Sequence, residues 1–303
     1  MFVFAALVFA RQETQGGVWV AALDPEAWWE AGKAFAAFCL ASSAVYAVND
    51  VVDRREDGAH PAKRSRPIAS GSLSPAAGLV LAVVLVVAGL GVAATCRPPE
   101  GALAPDNRVP LPAVVAAYLG LMFVYSGLLK RLVILDVIVL AAGFVIRAYA
   151  GGVAIGVWVS PWLLLCTLTL SLFLGFAKRE SERAALGGAA EGTRDVSWAV
   201  YDEKSLVHMM TVSAALAIVT YMLYTVSPET VERVGHQWMF LTVLPVVYAV
   251  FRFYNGAITG RATGPVEMVR RDPAFVAALV VWLAMVGVLL FVVDEGFLGY
   301  YGL

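Results

Sequence analysis

The chain has 303 residues, of which 60% are hydrophobic and 15% charged, and its formal net charge is −1. Soluble domains carry about 25% charged residues. The composition, with a mean hydropathy of +0.76, therefore excludes a soluble globular protein and indicates a polytopic membrane protein. The near-zero net charge says little about partners, and we expect no nucleic acid among them.

Hydrophobic runs predict nine membrane spans, near residues 1–10, 33–48, 76–95, 110–129, 132–155, 158–177, 206–226, 238–256 and 273–293. The first run is too short to cross a bilayer, which takes about 20 residues, and we interpret it as the remainder of a truncated helix. We expect an all-α fold: one membrane domain over residues 1–303, a helical bundle around a central cavity. Cytoplasmic loops at about 49–75 and 178–205 are expected to carry the chemistry.

The basic residues predict the orientation of the bundle. Loops after the even-numbered spans, with the adjoining helix ends, hold 16 lysines and arginines, those after the odd-numbered spans hold 5, and Arg147 lies inside the fifth span. Since cytoplasmic loops carry the excess of basic residues, the even-numbered loops are expected on the cytoplasmic side of a bacterial inner membrane. The charged loops after spans 2 and 6 then open on the same face, which suggests two pseudo-equivalent halves.

The second span ends in the motif Asn49-Asp50-x-x-Asp53-x-x-x-Asp57. The i, i+3, i+7 spacing places three carboxylates on one face of a helix, and such oxygens suit Mg²⁺ bound together with substrate phosphates. The alternative is a solvated helix end balanced by neighbouring arginines. Because an apolar segment delivers Asn49 and Asp50 to the membrane border, where unpaired charge is costly, we favour the metal site. Asp57, furthest from that border, is expected to matter least.

Three bases, Lys63, Arg64 and Arg66, follow the aspartates. Juxtamembrane basic runs often only attract anionic lipid. Next to a carboxylate cluster, however, we favour phosphate binding by at least one of them, because lysine and arginine make strong charge-assisted hydrogen bonds to phosphate.

A second polar group ends the sixth span with Lys178, Arg179 and Glu182, and Tyr201 lies further along the same loop. The simple alternatives are positive-inside charge, a salt bridge between Lys178 and Glu182 at i, i+4, and an interfacial anchor at Tyr201. We favour substrate contacts for all four.

The fifth span carries ionisable residues of its own. Lys130 and Arg131 precede it, Asp136 lies near its cytoplasmic end, and Arg147 lies deeper. One alternative is that Asp136 simply pairs with Lys130 or Arg131. Arg147 is three helical turns from Asp136, about 16 Å along the axis. It forms either a structural contact with a carbonyl or an acid or, as we favour, part of a polar cavity wall.

Taken together, these motifs resemble those of the UbiA superfamily of intramembrane prenyltransferases. Within it the chain resembles the decaprenyl-phosphate phosphoribosyltransferase branch, through the stretch Ser43 to Gly71, the segment Ile146 to Gly152, Ala177-Lys178-Arg179-x-x-Glu182, and Pro265-x-Glu267 with Asp272. Relatives that use prenyl diphosphates carry a second aspartate-rich motif where this chain has Lys-Arg-x-x-Glu. The basic segment that precedes the first span in relatives is absent.

The resemblance implies an enzyme that transfers 5-phosphoribose from 5-phosphoribosyl pyrophosphate to a polyprenyl phosphate with Mg²⁺, and it implies no particular oligomeric state. The implied roles are catalysis by Asp50, Asp53, Lys63 and Arg64; metal binding by Asp50, Asp53 and Asp57; and substrate binding by Asn49, Arg66, Lys130, Arg147, Lys178, Arg179, Glu182 and Tyr201. Of these, Lys178 and Arg179 are expected to hold either the lipid phosphate or the 5-phosphate. The alternatives are an aromatic prenyltransferase that uses a polyprenyl diphosphate and, less favoured, a lipid carrier or transporter.

Overall fold

The computed structural model describes residues 2–4, 7, 11–14, 17–59, 63–99, 109–186, 203–260 and 264–291. These residues divide into two compact units, one up to Ser160 and the other from Pro161. The prediction of a single membrane domain stays a prediction, and each unit is described by itself.

Within its described residues the first unit contains five helices of two turns or so and longer: α1 (Pro25–Val52), α2 (Arg54–Ala59), α3 (Pro75–Ala94), α4 (Leu111–Gly127) and α5 (Leu135–Ile155). A short antiparallel hairpin, β1 (Arg11–Thr14) and β2 (Gly17–Val20), precedes them, with Arg11 opposite Val20. This hairpin was not expected from the sequence.

In the part of the second unit that the structure describes there are six helices: α6 (Pro161–Leu186), α7 (Glu203–Val226), α8 (Pro228–Val234), α9 (Val243–Ile258), α10 (Pro265–Arg271) and α11 (Pro273–Phe291). A 3₁₀ turn, Trp238–Thr242, leads directly into α9. Helices α6 and α7 pack side by side, and α9 contacts α6, α7 and α11.

The helices confirm the membrane character of the chain. Within the described residues, seven helical segments are long and apolar enough to cross a bilayer, and an eighth, α4, has 17 residues. Eight of the nine predicted spans therefore coincide with helices, and the chain is an integral membrane protein. The first predicted span, 1–10, lies largely outside the described residues, and its Phe2–Phe4 form a 3₁₀ turn.

Several helices begin with the same local device, a capping side chain followed by proline. Asp24 Oδ1 accepts from the Glu26 N–H at 2.8 Å before α1, and Ser74 Oγ accepts from the Ala77 N–H at 3.2 Å before α3. Proline at the first helical position loses no hydrogen bond, because that N–H has no partner inside the helix. These caps explain why α1 begins at Pro25, well before the hydrophobic run predicted from residue 33.

Close packing of α1 against α3 depends on small residues. One side of α1 carries fully buried alanines, among them Ala34, Ala37 and Ala41. Opposite them, a Cβ on Gly89 of α3 would lie 3.2 Å from the Ala37 carbonyl oxygen and 3.5 Å from the Ala41 nitrogen. Since lipid tails are as apolar as leucine, helices in a bilayer associate through such close backbone approach.

At the other end of this helix pair, buried Glu30 connects α1 to the end of α3. Its carboxylate accepts from the Arg97 backbone N–H at 2.9 Å and pairs with Lys33 at 2.6 Å, while Lys33 donates to the Thr95 carbonyl at 3.0 Å. Burial, with the nearby Glu30 charge, raises the pKa of the Cys96 thiol to about 11. The segment after α3 is therefore held to α1 by charge-assisted hydrogen bonds.

In the second unit, Asp272 organises the start of α11. Its Oδ1 accepts from the Phe275 backbone N–H at 3.0 Å and its Oδ2 from Arg252 Nε at 2.7 Å. Burial by itself would raise the pKa of Asp272, but the hydrogen bonds from Phe275 and Arg252 and the Arg252 charge outweigh burial and lower it. A carboxylate at the N-terminus of a helix also interacts favourably with the helix dipole.

Replacement of Gly89 by valine is expected to destabilise the first unit, because the added side chain meets the α1 backbone; overpacking of this kind costs about 1–3 kcal/mol. The apparent melting temperature of detergent-purified protein measures the effect. Gly91→Val, on the same helix, is the matched control, because a Cβ at Gly91 meets nothing within 4 Å. Equal melting temperatures for the two variants would contradict the close approach.

Asp272→Asn is expected to lower the melting temperature at neutral pH. The difference in melting temperature from wild type should become smaller as the pH is lowered. The lowered pKa of folded Asp272 means that its charge stabilises the fold above the ordinary aspartate pKa, about 3.9. This stabilisation is lost as the pH falls through the lowered value. Glu267→Gln, which removes a carboxylate paired with the exposed Arg271, is the control, since surface pairs contribute little. A difference that is constant down to about pH 3 would oppose this assignment.

Candidate active site

The aspartate motif lies where α1 ends. Asn49 and Asp50 belong to the last turn of α1, Asp53 is its C-cap with φ −88° and ψ 3°, and Asp57 lies in α2. The expectation of one continuous helix is therefore wrong at a single residue. Backbone hydrogen bonds of 2.8 Å, from the Asp53 N–H to Asn49 and from the Asp57 N–H to Asp53, carry the helical spacing across the break.

Arg66 joins two of the three aspartates. Its Nη1 donates to Asp50 Oδ1 at 2.9 Å and to Asp57 Oδ2 at 2.9 Å. The two carboxylate oxygens must therefore lie within twice that distance of each other. Like charges so close would repel, and the guanidinium between them cancels much of that repulsion.

The expectation that Asp57 matters least stays a prediction, and the burial of its side chain argues against it. The sequence places it furthest from the membrane border, yet Asp57 is only 3% exposed, and it is the most buried of the three aspartates. The reason is that α2 folds back against the basic loop, so that Arg66 covers the carboxylate. Asp57 is therefore as well placed for a ligand as Asp50.

A compact turn presents Arg66 to these carboxylates. The Arg66 N–H donates to the Lys63 carbonyl at 2.9 Å, and the hydroxyls of Ser70 and Ser72 donate to the Pro67 carbonyl at 3.2 and 3.0 Å. Ile68 is buried and lies against Gly78 of α3, where a Cβ would come within 2.7 Å of Ile68 Cδ1. The loop is thus anchored to the helix that follows it.

The third aspartate has a partner from another part of the chain. Lys130, in the 3₁₀ turn after α4, forms an ion pair with Asp53, and Arg131 faces Glu56 at 3.9 Å. The sequence had offered a pairing of Asp136 with Lys130 or Arg131 as one alternative, and that pairing stays a prediction. Asp136 is fully buried in the first turn of α5, while both bases turn towards the aspartate motif.

Strained backbone lies between Lys130 and α5. Ile134 has φ +72°, a region that β-branched residues rarely adopt. Its carbonyl nevertheless accepts from the N–H groups of Val137 and Ile138 at 3.1 and 3.0 Å. Such strain persists where surrounding contacts hold it, and here it accompanies the turn that brings Lys130 to Asp53.

The remaining bases of the prediction are distributed over both units. Lys63 is half-buried and Arg64 exposed in the loop with Arg66; in the second unit Lys178 is exposed and Arg179 half-buried towards the end of α6. The Glu182 side chain and all of Tyr201 lie outside the described residues, so their predicted roles stay predictions.

Arg147 lies within α5 and joins two residues that the sequence analysis missed. Its Nη2 donates to Ser42 Oγ at 3.0 Å and to the Tyr118 hydroxyl. The sequence could have predicted a role for Ser42, because Ser42 precedes Asn49 by seven residues and so lies on the same face of the helix. Tyr118 carried no comparable signal.

The donor atoms fit a hard cation, although no metal centre is preformed. Among the described residues, no three His, Cys, Asp or Glu side chains gather as metal ligands, since the aspartates contact Arg66 and Lys130 instead. Asn49 Oδ1, however, is buried and accepts no hydrogen bond. An amide oxygen beside aspartate carboxylates is the set of hard oxygen ligands that Mg²⁺ uses.

Comparison with known proteins identifies the family. The model of the UbiA prenyltransferase family matches residues 14–258. The chain is 31% identical to decaprenyl-phosphate phosphoribosyltransferase of Mycolicibacterium smegmatis over 84% of this chain and 78% of that protein. It is 32% identical to the protein of the same name from Mycobacterium tuberculosis over 84% and 79%.

The fold agrees with this result. A UbiA homolog from Archaeoglobus fulgidus, whose structure was determined with DMAPP and Mg²⁺ bound, superposes with a TM-score of 0.65 over 96% of this chain and 94% of that one, at 14% identity. With a family model that matches most of its length and relatives above 30% identity, the chain belongs to the UbiA prenyltransferase family.

Proposed function

We propose that this protein transfers 5-phosphoribose from 5-phosphoribosyl pyrophosphate to a polyprenyl phosphate of the decaprenyl type, with release of pyrophosphate and dependence on Mg²⁺. The relatives' names support the substrates. The observation that carries the proposal is the ion-pair arrangement at the end of α1, where Arg66 holds Asp50 and Asp57 and Lys130 holds Asp53. Acids and bases alternate there within a few ångströms.

This arrangement suits a metal pyrophosphate. A cation entering with a polyanion offers the aspartates and the bases new partners at the same time, so no charge is left uncompensated during the exchange. Asn49, Asp50, Asp53 and Asp57 would hold Mg²⁺, which when bound neutralises charge on the leaving pyrophosphate as a Lewis acid.

The bases of the first unit then stabilise the departing group. Lys63, Arg64, Arg66 and Lys130 donate hydrogen bonds to the pyrophosphate oxygens as negative charge grows on them. The bond from the anomeric carbon to pyrophosphate breaks, and a bond from that carbon to the lipid phosphate oxygen forms on the opposite face. Because the lipid phosphate is already an anion, the reaction needs no general base.

The lipid phosphate is the second anion of the reaction and needs cations of its own. Lys178 and Arg179 provide cations for the lipid phosphate, and Glu182 and Tyr201 follow them in the same loop of the sequence. The polyprenyl chain remains in the bilayer, which is its natural solvent. The rival function, aromatic prenylation from a polyprenyl diphosphate, would use the same aspartates but a different donor.

Asp50→Asn and Asp53→Asn are expected to reduce turnover below about one-tenth of wild type, because loss of one metal ligand removes several kcal/mol of charge stabilisation. The measurement is formation of the lipid-linked phosphoribose, followed by mass spectrometry, from phosphoribosyl pyrophosphate and polyprenyl phosphate. Asp57→Asn is expected to have a comparable effect, given its burial beneath Arg66.

Glu56→Gln is the matched control for these variants. It removes an exposed carboxylate of α2, next to Asp57 in the sequence and 3.9 Å from Arg131, and is expected to leave turnover intact. Product from prenyl diphosphate and an aromatic acceptor, with none from phosphoribosyl pyrophosphate, would replace the proposed function by its rival.

The active site is expected on the cytoplasmic side of the membrane. In a cysteine-free background, Ser65→Cys in the basic loop should react with an impermeant maleimide only after the membrane is opened. Glu232→Cys in α8, which follows an odd-numbered span, should react in intact cells from which the outer permeability barrier has been removed. Sixteen basic residues against five support this orientation, and the reverse labelling would overturn it.

A further inference from the structure

Inside the first unit, Arg147 occupies a cradle built from three helices. Its Nη2 contacts Ser42 of α1 and Tyr118 of α4, and its guanidinium carbon lies 5.0 Å from the centre of the Tyr118 ring and 5.1 Å from that of Phe144. Tyr118 is 2% exposed. The packing of the three helices therefore holds this cluster in place.

The hydrogen-bond directions in the cradle are determined by its chemistry. The Ser42 hydroxyl donates to the Phe38 carbonyl at 2.6 Å, so Ser42 Oγ has no proton left for Tyr118, 3.2 Å away. Tyr118 therefore donates to Ser42, and both oxygens accept from Arg147. Ser42 and Tyr118 orient the guanidinium, but neither carries a negative charge.

The charge of Arg147 is thus left without an anion. Across the described part of the chain, no carboxylate lies within ion-pair distance of it, and Nε is buried without a hydrogen-bond partner. The ring faces of Tyr118 and Phe144 offset part of the cost. An arginine inside a membrane span normally pairs with another group and marks a functional site, so the missing counter-charge indicates a ligand that brings an anion.

The position of the cradle indicates which anion. Ser42, Asn49 and Asp53 recur at i, i+7 and i+11 on α1, so they follow one face of the helix. Ser42 lies about 10 Å below Asn49 and about 16 Å below Asp53 along the axis. One face of α1 therefore connects the proposed pyrophosphate site, at the helix end, to a deeper cation.

We propose that Arg147, held by Ser42 and Tyr118, binds the 5-phosphate of the ribosyl donor. This inference rests on the proposed function and assigns the second anionic end of the same substrate. Phosphoribosyl pyrophosphate carries an anion at each end of its ribose, and two cationic sites on one helix face orient it. A prenyl diphosphate has an apolar chain where the 5-phosphate stands, so Arg147 also selects against such donors.

Competition by fragments of the donor tests the assignment. Ribose 5-phosphate carries only the deep anion, and magnesium pyrophosphate only the shallow one. Arg147→Gln is expected to raise the inhibition constant of ribose 5-phosphate roughly ten- to a hundred-fold and that of pyrophosphate less than about twofold, as expected for loss of a charge-assisted hydrogen bond at one end only. The KM for farnesyl phosphate, a short lipid phosphate, should not change.

Two further variants keep the test informative if Arg147→Gln folds poorly. Tyr118→Phe retains the ring beside Arg147 and removes only the hydroxyl. It should raise the inhibition constant of ribose 5-phosphate roughly two- to tenfold. Arg252→Gln, which replaces an arginine paired with Asp272 in the second unit, is the matched control and should leave both inhibition constants unchanged.

Equilibrium binding of labelled ribose 5-phosphate to the purified protein separates this inference from the proposed function, because it needs no turnover. Binding that depends on Arg147 in a protein without phosphoribosyl transfer would refute the function and retain the site. Transfer activity with ribose 5-phosphate binding unaffected by Arg147→Gln or Tyr118→Phe would refute the site and retain the function. A raised KM for farnesyl phosphate alone would assign Arg147 to the acceptor and overturn the donor assignment.

Discussion

One nitrogen atom, Nη1 of Arg66, lies between the carboxylates of Asp50 and Asp57 at the membrane border. Without it, two negative charges would face each other beside an apolar helix, where water compensates them poorly. The same contact joins the end of α1, the short helix α2 and the basic loop. Because Ile68 anchors that loop to α3, the ion pair also determines where the neighbouring bases lie.

Ion pairs of this kind favour exchange over simple dissociation. The Asp57 carboxylate is buried although Arg66 is partly exposed, so removal of Arg66 alone would leave a buried charge uncompensated, which is unfavourable. In the proposed reaction a cation and a polyanion arrive together, so Asp57 and Arg66 exchange one counter-charge for another. Lys130 and Asp53 also form an ion pair. The same metal pyrophosphate would therefore offer new partners to all the charged residues at the end of α1.

Arg147 is a cation of a different kind. Arg66 and Lys130 contact carboxylates, whereas Arg147 contacts hydroxyls and aromatic faces. Hydroxyls and ring faces hold a guanidinium in place without neutralising it. The first unit thus combines a compensated charge cluster at the border with an uncompensated cation deeper in the span. Both contact residues that lie along one face of α1.

The sequence by itself determined the membrane class, eight of the helices and the motif Asn49-Asp50-Asp53-Asp57, because hydrophobic length and residue spacing are local properties. It also singled out Arg66, Lys130 and Arg147. Only the tertiary structure decided their partners: Arg66 with Asp57, Lys130 with Asp53, and Arg147 with Ser42 and Tyr118. These contacts join residues from different helices and loops. Their pairing depends on how closely the helices approach, for example at Gly143 of α5, where a Cβ would lie 3.5 Å from the Tyr118 ring, and no local pattern in the chain encodes that distance.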